Sequence, residues 1–303
     1  MSSTEHNYEN VGASKDAIQH HYDVGNALYE RFLGPTMAYS AAIWLEPASR
    51  DTLDDAQNRK LDWHIDWSGA DTGLRVLEVG CGWGSIIRRL AQRNPNAEVV
   101  GLTLSDAQAV FLRDKLKARA EIKVMPWQDF QANRPFHSII SIEAIEHFAA
   151  AGLTREQRIQ AYREFFDFCA RNLVPGGRVA IQASVWHNVD PEDEWRYDFS
   201  HFFPESCLPH VSELVAGASD QFHVMRLEDN ARDFVYTLRE WVKRLRRDEA
   251  ALIREFGEKV VRTYIENFMT FIQGHLVGAT SLCRLALERR GTTVVRPVKD
   301  AGG

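Results

Sequence analysis

The sequence predicts an α/β fold built on a doubly wound parallel sheet, and two observations support this. From about residue 75, short runs rich in β-branched residues alternate with amphipathic runs of helical length. Such an alternation is typical of a parallel sheet covered by helices on both faces. In addition, the glycine-rich turn LEVGCGWGS at residues 77–85 joins the first apolar run to the first amphipathic run. Turns of this kind place a ligand at the carboxyl edge of the sheet.

The predicted elements follow one another in the order that this fold requires. The strands are expected at RVLEV (75–79), EVVGLTL (98–104), EIKVM (121–125), HSIISIE (137–143), RVAIQAS (178–184), FHVMRLE (222–228) and CRLALER (283–289). The helices among them are expected at residues 85–93, 105–120 and 155–172, and a PGG turn precedes the fifth strand.

The remaining segments are expected to close over the carboxyl edge of a Rossmann-like sheet. We expect an N-terminal helical lid segment at residues 1–70, with a helix at 14–33, and a core at residues 71–303. Two insertions interrupt this core, at about 185–210 and 229–281. Long excursions of this kind usually form lids or pocket walls in a compact domain.

Composition excludes several classes of function. The net charge of -6 leaves no basic surplus for binding nucleic acid. The four cysteines form no C-x-x-C pair, so neither a metal site nor a disulfide scaffold is expected. No apolar run approaches the ~20 residues needed to cross a bilayer, and the polar start MSSTEHNYEN lacks a signal-peptide core. A cytoplasmic protein without an integral membrane segment is therefore expected.

The glycine turn does not fit a dinucleotide. That ligand requires G-x-G-x-x-G, but Ser85 occupies the last glycine position, and the second strand leads to Thr103 instead of a ribose-binding acid. The pattern is acid-x-G-x-G-x-G, with Glu78 followed by Gly80 and Gly82. It resembles the S-adenosyl-L-methionine (SAM) site of class I methyltransferases.

Further segments extend this resemblance over nearly the whole chain. The segments are HHYDVGNALYERFLGPTMAYSAAIW (20–44), GCGWGS, GLTLSDAQ (101–108), IEAIEHFA, NLVPGGR and FPESCLP (203–209). Their order resembles that of the cyclopropane fatty acid synthase and mycolic acid methyltransferase family. The resemblance implies a SAM-dependent enzyme that releases S-adenosyl-L-homocysteine (SAH) and needs no metal, on a sheet whose last strand is antiparallel.

The resemblance also implies which residues bind the cofactor. Together with Glu78, they are Tyr39 and Ser40 at the methionine part, Gly80 and Gly82 beneath it, Thr103 and Gln108 at the ribose, and Trp127 and Gln128 at the adenine.

At one site the chain departs from the synthases that it resembles. Their bicarbonate site, which supplies the base for ring closure, corresponds to Ala41 in place of Cys, Gln182 in place of His, Phe234 in place of Tyr, and Glu146. Only the glutamate is retained. A buried bicarbonate ion would lack partners here. We therefore expect methyl transfer without cyclopropane formation.

The stretch SIEAIEHF resembles the S-x-E-x-x-E-H pattern of coclaurine-type N-methyltransferases at Glu143, Glu146 and His147. A carboxylate near the sulfonium can stabilise a cationic acceptor, and a neighbouring histidine can take a proton. We expect Glu146 to be this carboxylate and His147 to be the base or its orienting partner. Glu143 is the third catalytic candidate and could face either the cofactor or the acceptor.

Aromatic residues in the lid segments predict an apolar acceptor pocket. They are Tyr22, Trp186, Tyr197, Phe203 and Phe234. The sequence thus predicts methylation at carbon or nitrogen of a small-molecule acceptor, an aromatic, amine or isoprenoid compound of specialised metabolism. The alternatives are a cyclopropane synthase or methyltransferase acting on unsaturated fatty acyl lipids, and a cofactor-binding partner protein without chemistry. Homodimerisation is left open.

Overall fold

The computed structural model describes residues 26–46, 50–116, 119–190, 193 and 206–291. Seven strands of the described chain form one sheet: β1 (Arg75–Val79), β2 (Glu98–Thr103), β3 (Glu121–Val124), β4 (Phe136–Ile142), β5 (Leu173–Trp186), β6 (Phe222–Asp229) and β7 (Thr280–Arg289). Their order is β3-β2-β1-β4-β5-β7-β6. Strands β1 to β5 pair in parallel, whereas β7 is antiparallel to β5 and β6. The predicted doubly wound sheet is confirmed.

Nine α-helices lie within the described residues. They are α1 (Asn26–Leu33), α2 (Leu53–Ser68), α3 (Ser85–Arg93), α4 (Asp106–Leu116), α5 (Arg155–Asn172), α6 (Val211–Ala218), α7 (Ala231–Arg247), α8 (Glu249–Phe256) and α9 (Glu258–Leu276). Helices α7 to α9 all lie between β6 and β7. Helix α1 covers the end of the helix predicted at residues 14–33, and residues 14–25 lie outside the described residues.

Helix α2 was not predicted from the sequence. It begins after Thr52, whose hydroxyl accepts the backbone N–H of Asp55, and ends at Gly69 in the left-handed conformation. A threonine cap is common at the start of a helix, and a left-handed glycine is common at its end. The buried face of α2 includes Gln57, Lys60 and His64. Because polar residues occupy this face, the apolar periodicity that reveals an amphipathic helix is weak.

Two apolar clusters flank the sheet at the site. One packs α5 against the sheet through Phe165 and Phe166. The other joins α1, α7 and α9 in an aromatic cluster that includes Phe32, Trp241 and Phe268. The N-terminal helix and the helical insertion therefore share one core.

A buried ion pair connects α5 to α6. The Arg158 guanidinium donates two hydrogen bonds to Glu213 Oε1, from Nε at 3.0 Å and from Nη2 at 2.8 Å. Both side chains are almost fully buried.

No helix in the described part of the chain is both long and apolar enough to span a bilayer.

Candidate active site

The described residues enclose a cavity of about 250 Å³ at the carboxyl edge of the sheet, beside the ends of β1, β2 and β4. Strand order reverses between β1 and β4, which is where open α/β sheets bind ligands. The nine predicted cofactor residues all line this cavity: Tyr39, Ser40, Glu78, Gly80, Gly82, Thr103, Gln108, Trp127 and Gln128.

The glycine turn forms the floor of the cavity. Gly80 and Gly82 have positive φ angles of 78° and 51°. A Cβ atom on Gly80 would lie 2.6 Å from the Cβ of Ala144, whereas a Cβ on Gly82 would meet nothing within 4 Å. Gly80 is thus required by close packing. The open space at Gly82 leaves room for a ligand against the backbone.

Buried polar atoms on the cavity wall lack protein partners, which fits a ligand with polar groups. Glu78 Oε2 and Trp127 Nε1 are buried and make no hydrogen bond within the described residues. Buried polar groups are normally hydrogen-bonded. SAM offers both kinds of partner, because it carries an ammonium group for a carboxylate and an adenine with acceptor nitrogens for an indole N–H. The residues therefore fit this cofactor.

The two side chains predicted to bind the ribose contact each other. The Thr103 hydroxyl donates to Gln108 Oε1 at 2.8 Å. The same hydroxyl oxygen accepts the backbone N–H of Ser105 at 3.1 Å. These bonds fix both side chains at the end of β2, where the resemblance expects the ribose.

Glu143 lies on the cavity wall with its carboxylate held by two donors. The backbone N–H of Ala41 donates to Glu143 Oε1 at 2.8 Å, and Gln182 Nε2 donates to the same oxygen at 2.7 Å. Glu143 Oε2 accepts no hydrogen bond from the residues that the structure describes. Burial raises the pKa of Glu143, which the two donors and the positive charges of Lys60 and Arg284 oppose.

A chain of buried polar contacts orients Gln182. Arg284 Nε donates to Gln182 Oε1 at 2.9 Å, so the amide nitrogen faces Glu143. Arg284 is fully buried, and its charge is paired with Asp233 at 2.8 Å. Gln182 Nε2 also donates to the Ala41 carbonyl at 3.0 Å. Two positions that depart from the synthases, Ala41 and Gln182, thus bind the Glu143 carboxylate together.

Glu146 is buried but does not line the cavity. Its Oε1 accepts the backbone N–H of Ser184 at 2.7 Å, and its Oε2 has no partner among the described residues. Burial, reinforced by the negative charge of Glu143, raises the pKa of Glu146 to about 8. The carboxyl group is therefore mostly protonated at neutral pH.

His147, the next residue along the chain, lines the cavity. Its Nδ1 lies 2.6 Å from Ser206 Oγ. Burial lowers the pKa of His147 to about 4. The imidazole is consequently neutral at pH 7 and binds a proton weakly, which makes it a poor general base at that pH.

The predicted acceptor pocket is described only in part. Trp186 and Phe234 are buried, but neither lines the cavity. Phe234 instead packs edge-on against Trp241 and His275. Tyr22, Tyr197 and Phe203 lie outside the described residues.

Sequence reasoning missed Lys60, which is fully buried on α2. Its Nζ donates to Ser40 Oγ at 2.6 Å, immediately behind the cavity wall. The available signal was the Thr52 cap and the glycine after WHIDWS, which together delimit a helix preceding β1. Once that helix is recognised, a lysine on the face that carries Leu61 and Ile65 stands out as buried.

Comparisons with known proteins identify the family of this chain. The family model for mycolic acid cyclopropane synthetase matches residues 10–283. The probable fatty acid methyltransferase of Pseudomonas putida is 31% identical over 265 residues, which cover 82% of this chain and 64% of that protein. The chain thus spans less than two thirds of the length of this relative.

Solved structures show the same fold. The mycolic acid cyclopropane synthase CmaA1, in complex with SAH and CTAB, has a TM-score of 0.78 and 25% identity, covering 91% of this chain and 99% of that chain. Coclaurine N-methyltransferase, bound to N-methylheliamine and SAH, has a TM-score of 0.76 and 17% identity, covering 92% and 84%. At the latter identity the similarity concerns the fold alone.

Proposed function

The chain belongs to the mycolic acid cyclopropane synthetase family and is a SAM-dependent methyltransferase; we propose that it methylates an unsaturated carbon of an apolar acceptor. A fatty acyl chain is the first candidate for this acceptor. The names of the family and of the Pseudomonas putida relative both refer to fatty or mycolic acids. They favour the acyl lipid over the small aromatic, amine or isoprenoid metabolite of the sequence-based interpretation.

The observation that carries the proposal is the Glu143 carboxylate on the wall of the cofactor cavity. When bound, SAM supplies a methyl group already activated by its sulfonium. Addition of that methyl to a carbon–carbon double bond leaves a positive charge on the acceptor, which must then lose a proton. Glu143 Oε2 is the acceptor for this proton, because Oε1 is occupied by Ala41 and Gln182.

This arrangement replaces an external base with a side chain. In the synthases that the sequence resembles, a bound bicarbonate takes the proton. Here Ala41 and Gln182, at two positions of that site, hold the carboxylate of Glu143 instead. A base that is part of the chain does not have to be bound in each cycle, and it is already oriented for proton transfer.

The aromatic cluster beside the cavity suits an apolar acceptor. Tyr39 lines the cavity and stacks on Trp241, with ring centroids 5.3 Å apart. Tyr29 and Phe32 of α1 pack edge-on against Tyr39. We propose that α1 and the α7–α9 insertion form the lid under which the acceptor docks.

A second candidate is N-methylation of a small amine. The residues that favour it are Glu143 and His147, both on the cavity wall and both part of the pattern that resembles coclaurine-type enzymes. A carboxylate at this position would also stabilise a protonated amine. The two candidates differ in the atom that receives the methyl group.

The test is incubation with methyl-labelled SAM and a panel of unsaturated phospholipid vesicles, indoles, benzylisoquinoline-type amines and prenyl diphosphates, read by mass spectrometry. Label in an acyl chain is the expected result. Label on nitrogen supports the second candidate, and label only in a prenyl or indole product contradicts the acyl proposal. The absence of label from every acceptor would leave the proposed chemistry without support.

The role of Glu143 is tested by Glu143→Gln, which retains the shape of the side chain but cannot take the proton. General bases contribute ~10²- to 10⁴-fold to turnover, so we expect kcat to fall by at least ~100-fold while SAH affinity changes less than about threefold. Glu146→Gln is the matched comparison. A larger loss in Glu146→Gln than in Glu143→Gln would return the catalytic role to Glu146, as the sequence predicted.

A further inference from the structure

Lys60 is an ionisable residue that the proposed chemistry does not use. It has no exposed surface, and the one hydrogen bond of its side chain within the described residues runs from Nζ to Ser40 Oγ at 2.6 Å. An ammonium group has three donor hydrogens, and burying it is costly unless it is paired. No carboxylate of the described chain lies within ion-pair distance of Nζ.

The same helix holds the cavity loop at a second point. Gln57, one turn before Lys60 on α2, donates from Nε2 to the backbone carbonyls of Ser40 at 2.8 Å and of Ala38 at 3.3 Å. The loop that carries Tyr39 and Ser40 is therefore fixed by α2 through its backbone and through the Ser40 hydroxyl. Both loop residues line the cofactor cavity.

The direction of the Ser40 hydrogen bond follows from Lys60. In its ammonium form Lys60 has no lone pair, so in that form Ser40 Oγ is the acceptor in this contact. The hydroxyl hydrogen of Ser40 is then left to point elsewhere, and Ser40 lies on the cavity wall. When protonated, Lys60 thus places a positive charge behind the cavity wall and leaves the Ser40 hydroxyl free to donate into the cavity, a combination that favours a negatively charged ligand group.

SAM has one negatively charged group, its α-carboxylate. We propose that Lys60 is a positioning residue for this carboxylate: through Ser40 it aims a hydrogen-bond donor at the carboxylate, and its charge stabilises the carboxylate through the wall. The proposal rests on the identity of the methyl donor alone and not on that of the acceptor.

Other charges near Lys60 contribute to its state. Burial lowers the pKa of Lys60 to about 7; the negative charges of Glu143 and Glu78 oppose this shift, and the positive charge of Arg284 adds to it. His64 lies one turn further along α2, and its burial holds its pKa well below the usual value. A bound carboxylate adds a negative charge to this group and favours the ammonium form of Lys60.

The test is calorimetric binding of SAM and of decarboxylated SAM, which lacks only the carboxylate, to the parent protein and to Lys60→Met. Hydrogen bonds to charged groups correspond to ~10- to 100-fold in affinity. We expect Lys60→Met to weaken SAM binding by about this factor and to change the binding of decarboxylated SAM less than about threefold. Lys259→Met, at an exposed position of α9, is the control and should bind both ligands like the parent.

Ser40→Ala provides an independent measurement if Lys60→Met does not fold. It should also reduce the preference for SAM over decarboxylated SAM, whereas Ser40→Thr, which keeps the hydroxyl, should largely retain it. Equal losses for both ligands in Lys60→Met would mean a structural role, and an unchanged preference in Ser40→Ala would equally overturn the proposal. Neither result depends on whether acyl methylation is found.

Discussion

Replacing Glu146 with glutamine tests the protonation state of a buried carboxyl group next to the site. Glu146 Oε1 accepts the Ser184 N–H, and Oε2 is unpartnered within the described residues. Because burial raises the pKa of this carboxyl group to about 8, glutamine resembles its neutral form in both shape and charge. The substitution therefore removes the titration while largely retaining the packing.

The sign and size of the effect follow from the pKa difference. The folded-state pKa of Glu146 lies above the unfolded value. The contribution of this carboxyl group to the free energy of unfolding is therefore complete below about pH 4.5 and is lost as the pH rises from there through 8. The difference between 4.5 and about 8 corresponds to ~5 kcal/mol in the free energy of unfolding, at ~1.4 kcal/mol per pH unit. Roughly 3 kcal/mol of this develops between about pH 5 and pH 8.

The measurement is denaturant unfolding of the parent and of Glu146→Gln at several pH values between 5 and 8. Relative to the parent, the variant should gain ~3 kcal/mol in the free energy of unfolding over this range. The control is Glu266→Gln, at an exposed position on α9, whose difference from the parent should stay nearly constant. A constant difference for Glu146→Gln as well would show that Glu146 titrates like an exposed carboxylate.

Two further predictions concern the turn and the core. Both Gly80→Ala and Gly82→Ala place a side chain at positive φ, which costs ~1–2 kcal/mol in the free energy of unfolding. Only in Gly80→Ala does the new Cβ also meet packed atoms, so this variant should lose ~1–3 kcal/mol more. Gly82→Ala should stay folded in thermal melts yet bind SAH at least tenfold more weakly by calorimetry; equal stabilities would contradict this contrast. Arg158→Met leaves Glu213 buried without its counter-charge and should cost ~3–5 kcal/mol in denaturant unfolding; a loss below ~1 kcal/mol would contradict that account.

The cofactor wall could be predicted because its signals are local. The acid-x-G-x-G-x-G turn and the Thr103–Gln108 spacing each lie within a few residues of a strand end, so the strand itself brings them to the cavity. Trp127 likewise follows β3 directly. For such residues the sheet topology fixes the position once the strands are recognised.

The residues behind the wall could not be predicted in the same way. Glu143 contacts Ala41 and Gln182 across 102 and 39 positions of the chain, and Lys60 reaches Ser40 from a helix whose buried face is polar. Apolar periodicity does not reveal either contact. Pairing of β4 with β5 places Gln182 beside Glu143, whereas the packing of α2 brings Lys60 to Ser40.

The backbone at Glu143 supports a functional reason for its side chain. Its φ of 48° is in the left-handed region, where a glycine has no strain and a residue with a Cβ atom costs ~1–2 kcal/mol. The chain therefore carries a strained glutamate, with its carboxylate held by two donors, at a position where glycine would fit better. Strain of this kind persists where the surrounding structure holds the residue in place, as the two donors to the Glu143 carboxylate do, and it agrees with the proposed role of Glu143 as the base.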